Sequence, residues 1–88
     1  MAKYKIVFKK SIAKDLKTIP KLDIKRILAC VDKLAENPRV EGCVKLSNRE
    51  QYRVRQGLYR IVYEIQDDKL VVLVVKIGHR SSVYKSNY

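Results

Sequence analysis

The sequence predicts a single α+β domain over residues 1–88, of order β-α-α-β-β-β, with two helices packed on an antiparallel meander sheet. Three observations carry this reading. An amphipathic helical stripe begins at Asp23. The segment "YRVRQGLYRIVYEI" (residues 52–65) alternates, breaks at a glycine and alternates again. "LVVLVVKI" (residues 70–77) is apolar on both faces. At 88 residues and 47% apolar content, the chain is long enough for one modest core and too apolar for a disordered tail.

Taken in order, "YKIVF" (residues 4–8) sets Tyr4, Ile6 and Phe8 on one face, as a strand does. Ser11 offers an N-cap for a short helix that Pro20 ends. In the second helix Ile24, Ile27, Leu28, Val31, Leu34 and Ala35 share one stripe, with Lys25, Arg26, Asp32 and Lys33 off it. Asn37-Pro38 stops that helix, and residues 39–51 read as a connection with little periodicity. The hairpin is expected to turn on Gln56-Gly57. Arg55 then faces Leu58, Arg53 lies opposite Arg60, and the three arginines share a face. Asp67-Asp68 marks a turn into a strand from Lys69 to Ile77, read as central because it is apolar on both sides, and Gly78 ends it. The helices need an apolar partner and must cover one sheet face, which leaves the other for the arginines. There is no repeat, low-complexity tract or second domain.

Lys and Arg number 20 against 9 acidic residues, a formal net charge of +11. That excess draws the molecule toward nucleic acid, an anionic membrane or an acidic protein. Like charges set opposite one another on a sheet are destabilising, so a sheet that accepts them is expected to meet a polyanion there. The longest apolar run, Leu70 to Val75, is far too short to span a bilayer, so no membrane partner is expected. The charged N-terminus lacks the apolar stretch of a signal peptide, and a cytoplasmic protein is expected. Cys30 and Cys43 do not form a metal-ligand spacing, and Cys30 reads as a small buried hydrophobe. A single histidine excludes a His-pair ribonuclease and leaves a zinc site short of ligands. No phosphate-binding glycine loop, H-E-x-x-H or G-x-S-x-G is present, so neither metal nor cofactor is expected.

The strand–helix–helix–meander order, the Gly57-x-Tyr59-Arg60-x-x-Tyr63 hairpin and the Gly78-x-Arg80…Val83-Tyr84 ending together resemble the RelE-type toxins of bacterial toxin–antitoxin pairs, over nearly the whole chain. The resemblance implies cleavage of mRNA in the A site of the 70S ribosome without a metal, and so inhibition of translation. It also implies a cognate antitoxin that wraps the toxin, silences it and forms an oligomer with it. Arg60, Arg80 and Tyr84 match the family's functional arginines and its tail tyrosine. Arg53 and Arg55 stand where the best-known RelE pattern has two lysines. The departure matters, because lysine can give up a proton when its pKa is depressed and arginine stays protonated at any working pH.

Metal-free RNA cleavage usually proceeds by attack of the neighbouring 2′-OH on phosphorus, leaving a cyclic phosphate and a 5′-OH. Arg60 and Arg80 are assigned to the scissile phosphate, whose oxygens fit the guanidinium fork, with Arg53 and Arg55 as supporting cations. Tyr84 is assigned to stacking on a base or moving a proton. Lys45, Arg49 and Lys76 read as backbone-binding or solubility charges. His79 and Glu50 are the candidates for proton transfer, although alternation points His79 away from the face of Arg80. The general base stays open at this level. The antitoxin should offer an acidic, partly disordered segment that folds over the basic face. Two rival readings share the same features. One is a ParE-type poison of DNA gyrase, against which the "GHRSSVY" ending argues; the other is a non-catalytic module that binds RNA or the ribosome.

Overall fold

The computed structural model describes residues 3–46 and 50–79. The elements are β1 (Lys5–Phe8), α1 (Ser11–Leu16), α2 (Lys21–Glu36), β2 (Val44–Leu46), β3 (Gln51–Gln56), β4 (Tyr59–Gln66) and β5 (Val71–His79). They build a five-stranded sheet of order β1-β5-β4-β3-β2. The expected α+β order stands, and the meander β3-β4-β5 is antiparallel as expected. Two features go beyond it. The connection after α2 contains a short strand, β2, paired with β3, and β1 joins β5 in parallel, so the sheet is mixed.

The helix boundaries follow backbone chemistry. Pro20, with φ near −56°, takes the cap position of α2 at no hydrogen-bond cost, and Asp23 in the first turn suits the positive end of the helix dipole. At the other end Asn37 turns extended, as a residue before proline must, while its N–H still bonds Lys33 O at 3.0 Å. The short α1 ends at Leu16, ahead of Pro20, and Ser11 lies inside it instead of capping it; the cap position is Lys10, without a side-chain bond. On α2 the stripe buries Ile27, Val31, Leu34 and Ala35, with Ile24 at its margin. Leu28, expected on the stripe, is exposed.

These residues pack with Ile12 and Ile19 on Tyr52, Val54, Ile61, Tyr63, Ile65, Val72, Val74 and Ile77 of the sheet. Successive strand residues point to opposite faces, so Arg53, Arg55 and Arg60 lie on the face away from the helices, as expected. A smaller apolar cluster of Val62 and Val75, with Leu46 and Leu73 against it, shares that open face. β5 sits between β1 and β4, which accounts for its apolar character on both sides. It continues through Gly78 to His79, beyond the expected stop.

The pairing of β1 with β5 ends at Phe8↔Val74, which leaves the last part of β5 without a strand on that side. Asp15 of α1 takes the place of one. Its Oδ2 accepts the Ile77 N–H at 3.2 Å and its Oδ1 accepts Lys76 Nζ at 2.9 Å. Among the described residues no helix is long and apolar enough to cross a membrane.

Candidate nucleic-acid interface

The hairpin sets the site. Its register pairs Gln56↔Tyr59, Arg55↔Arg60, Val54↔Ile61 and Arg53↔Val62, so the two-residue loop is Gly57-Leu58 and not Gln56-Gly57. Gly57, at φ +61°, supplies the left-handed first loop position that such a tight turn requires. Arg53 therefore faces Val62, and the like-charged pair set directly opposite is Arg55 and Arg60. Sliding the loop by one residue moved the pairing without turning either strand over, which is why the three arginines still share a face.

They share a cleft as well. A cavity of about 320 Å³ is lined by Arg53, Arg55 and Arg60, with Glu41, Gly42 and Val44 closing one side. Arg60 forms its deepest part, at 3% exposed, and is the only charged side chain in the buried class among the described residues. Arg53 is half-buried and Arg55 exposed, so positive charge grades from floor to rim. Guanidinium groups at several depths, around a space of this size, suit a phosphate that must be gripped on more than one side. Glu41, Gly42 and Val44 fall in the stretch the sequence left unstructured. The sharp turn at Gly42, with φ +90°, and the short β2 after it bring that segment alongside β3.

The other candidates fall elsewhere. Arg80, Tyr84 and Arg49 lie outside the described residues. Lys76 is held by Asp15 at the free edge of β5, with a side chain 26% exposed. His79 pairs with Tyr59 and meets its ring edge-on at a centroid distance of 5.9 Å. Tyr59 packs on the helix-side core, which puts His79 on the face away from the arginines. Glu50 belongs to a cluster of its own. It accepts from Tyr52 OH at 3.1 Å, Lys45 Nζ at 3.4 Å and Arg39 Nη2 at 3.4 Å. The Tyr52 hydroxyl first, and the Lys45 and Arg39 charges with it, lower the Glu50 pKa and make it a poorer proton acceptor.

That cluster is centred on Arg39, which sequence reading passed over. Its guanidinium lies 5.6 Å from the Tyr52 ring centroid, and Nη1 and Nη2 donate to the two carboxylate oxygens of Asp67 at 3.2 and 2.9 Å. Tyr4 OH donates to the same carboxylate at 2.6 Å. Arg39 above all, then Tyr4, holds the Asp67 pKa down from an ordinary 3.8 to about 2. Beneath it Tyr63, stacked on Tyr52, donates its buried hydroxyl to Pro38 O at 2.6 Å, and burial pushes its pKa up. The cluster ties the segment after α2 to β3, to the β4–β5 turn and to the start of β1. In doing so it anchors one end of the loop that walls the cleft.

A buried arginine under an arginine-rimmed cleft, on a small mixed sheet backed by two helices, defines a small basic α+β domain with a candidate anion-binding cleft. The family model described as "ParE toxin of type II toxin-antitoxin system, parDE" matches residues 6–84, and the chain belongs to this family within the RelE/ParE superfamily. Among curated relatives, a toxin named RelE1 from Methanocaldococcus jannaschii is 29% identical over 96% of this chain and 98% of its own length. The mRNA interferase toxin RelE of Escherichia coli is 38% identical over 53 residues, 56% of each chain. The crystal structure of an archaeal RelE–RelB complex from Pyrococcus horikoshii superposes with a TM-score of 0.76 at 26% identity, covering 91% of this chain and 97% of that one.

Proposed function

We propose that this chain is the toxin of a type II toxin–antitoxin pair and acts as an endoribonuclease. It would cut mRNA in the ribosomal A site by 2′-OH attack on the scissile phosphate. The observation that carries the reading is the buried Arg60 beneath Arg53 and Arg55 in one cleft. Fixed cations stabilise the charge of a five-coordinate phosphorus, and a cation removed from water, as Arg60 is, does so more strongly than one on an open surface. The Escherichia coli relative named an mRNA interferase supports the same activity class. In this reading Arg60 and Arg80 hold the scissile phosphate, Arg53 and Arg55 support them, and Tyr84 stacks on a neighbouring base. No metal or cofactor takes part. The partner is a cognate antitoxin whose acidic segment competes for the cleft, in keeping with the RelE–RelB complex to which the fold is similar. The site of action is the cytoplasm.

The test is primer extension on a message held in programmed ribosomes, with EDTA present. A discrete stop in the A-site codon, lost in Arg60→Ala and Arg80→Ala while both variants still bind ribosomes, is the expected result. Gradual loss of binding without any cleavage would make the protein a plain RNA-binding module. The matching family model is described by its ParE members, which favours one second reading, a gyrase poison. Inhibition of DNA supercoiling by a protein that leaves mRNA intact would establish it.

A further inference from the structure

The proposed cleavage needs a group that takes the proton from the attacking 2′-OH, and the arginines of the cleft cannot be that group. A guanidinium stays protonated at any working pH, and here Arg53 and Arg55 occupy the positions where lysines would offer an alternative. His79 points to the far face of the sheet, as its contact with Tyr59 shows. Glu50 is held among Tyr52, Lys45 and Arg39, and is absent from the cleft lining.

One lining residue is different. Of the described residues that face the cavity, three are arginines and three are Gly42, Val44 and Val54, which have no titratable side chain. The seventh is Glu41, an exposed carboxylate on the turn that walls the cleft. Asp15, Asp67 and Glu50 are each engaged by basic groups at 2.9 to 3.4 Å. Glu41 instead lines the same cavity as Arg53, Arg55 and Arg60.

We infer that Glu41 is the general base of this site, taking the proton of the substrate's 2′-OH while the arginines hold the phosphate. The inference rests on the proposed nuclease reading. In the step, the O2′–H proton passes to a Glu41 carboxylate oxygen as the O2′–P bond forms. The P–O5′ bond breaks, the 5′ oxygen takes a proton from water, and Glu41 returns its own proton to water. The products are a 2′,3′-cyclic phosphate and a 5′-OH, with no net change in protons and no redox partner. The neighbouring cations suit the task in a second way. They draw the anionic backbone of the substrate close to the carboxylate.

The experiment compares the wild-type chain with Glu41→Gln and Glu41→Asp on programmed ribosomes. It reads single-turnover cleavage and, separately, binding to a message carrying a 2′-deoxy residue at the cut site. Glu41→Gln should slow cleavage by about a hundredfold or more, yet bind the uncleavable message at least as tightly, because a negative charge has left a basic cleft. Glu41→Asp should recover part of the rate. Opposite movement of rate and affinity is not what a merely structural loop residue gives. A Glu41→Gln protein that cleaves at the wild-type rate, or one whose rate and affinity fall together, overturns the inference while the nuclease reading stands. Absence of cleavage by the wild-type chain overturns both.

Discussion

In the proposed reading, Arg60 is a residue that gives up stability for chemistry. Removing a guanidinium from water costs several kcal/mol before any partner repays it, so a buried arginine is weak evidence of stabilisation. The neighbours across the sheet make it less favourable, since Arg55 is its direct cross-strand partner. We therefore predict that Arg60→Met, which keeps the volume and drops the charge, leaves the thermal midpoint unchanged or raises it. The same change should lower mRNA cleavage by about a hundredfold or more. Differential scanning fluorimetry and primer extension on one preparation check both halves, and a steep fall in midpoint would mean that Arg60 is structural. The sequence marked Arg60 as one of the phosphate-binding candidates but not as the buried member of the set. Its burial is set by tertiary packing around β4, which local pattern does not encode.

At the scale of elements, what the sequence yields is what short-range physics determines. The stripe on α2 repeats over enough turns to be unmistakable, and Asn37-Pro38 closes it. The shared face of the arginines was legible too, because a strand's period of two survives an error in loop placement. The parallel pairing of Lys5 with Val71 was not, since the partners are far apart in sequence and neither strand marks its neighbour. Nor was β2, three residues long and half exposed. Glu41 owes its place in the cleft to that unread strand. The Arg39–Asp67 link joins elements that no local rule connects, and it carries a prediction. An aspartate whose pKa is about 2 when folded and 3.8 when unfolded contributes stability that is complete above pH 4. That contribution fades as pH falls toward 2. Asp67→Asn should thus lower the thermal midpoint at pH 6 and converge with the wild type near pH 2. Parallel curves across that range would show that the ion pair is thermodynamically idle. The edge contact made by Asp15 allows a further comparison. Asp15→Asn keeps an acceptor for the Ile77 N–H and should melt above Asp15→Ala, and hydrogen exchange at Ile77 should quicken in the alanine variant alone.

Over the whole molecule, a net charge of +11 makes any hold on RNA steeply dependent on salt. For single-stranded RNA the slope of log K against log salt is about −0.7 per phosphate neutralised, so Arg53→Ala and Arg55→Ala should each flatten it by about that amount. A slope indifferent to both changes would place the phosphate path elsewhere. Affinity for the antitoxin should fall less with salt wherever apolar contacts dominate that complex. The sheet order has a consequence of another kind, in time. β1 is made first but must wait for β5, 66 positions later by the Lys5↔Val71 register, before it has a neighbour. β4, which carries Arg60, is likewise flanked on one side by β5. A nascent chain still inside the exit tunnel at residue 79 cannot close its sheet, and pairings this distant form slowly once they can. The sheet that carries Arg60 is thus complete only after β5 has been made, so the order in which the strands emerge sets a delay between synthesis of the arginines and closure of the fold around them.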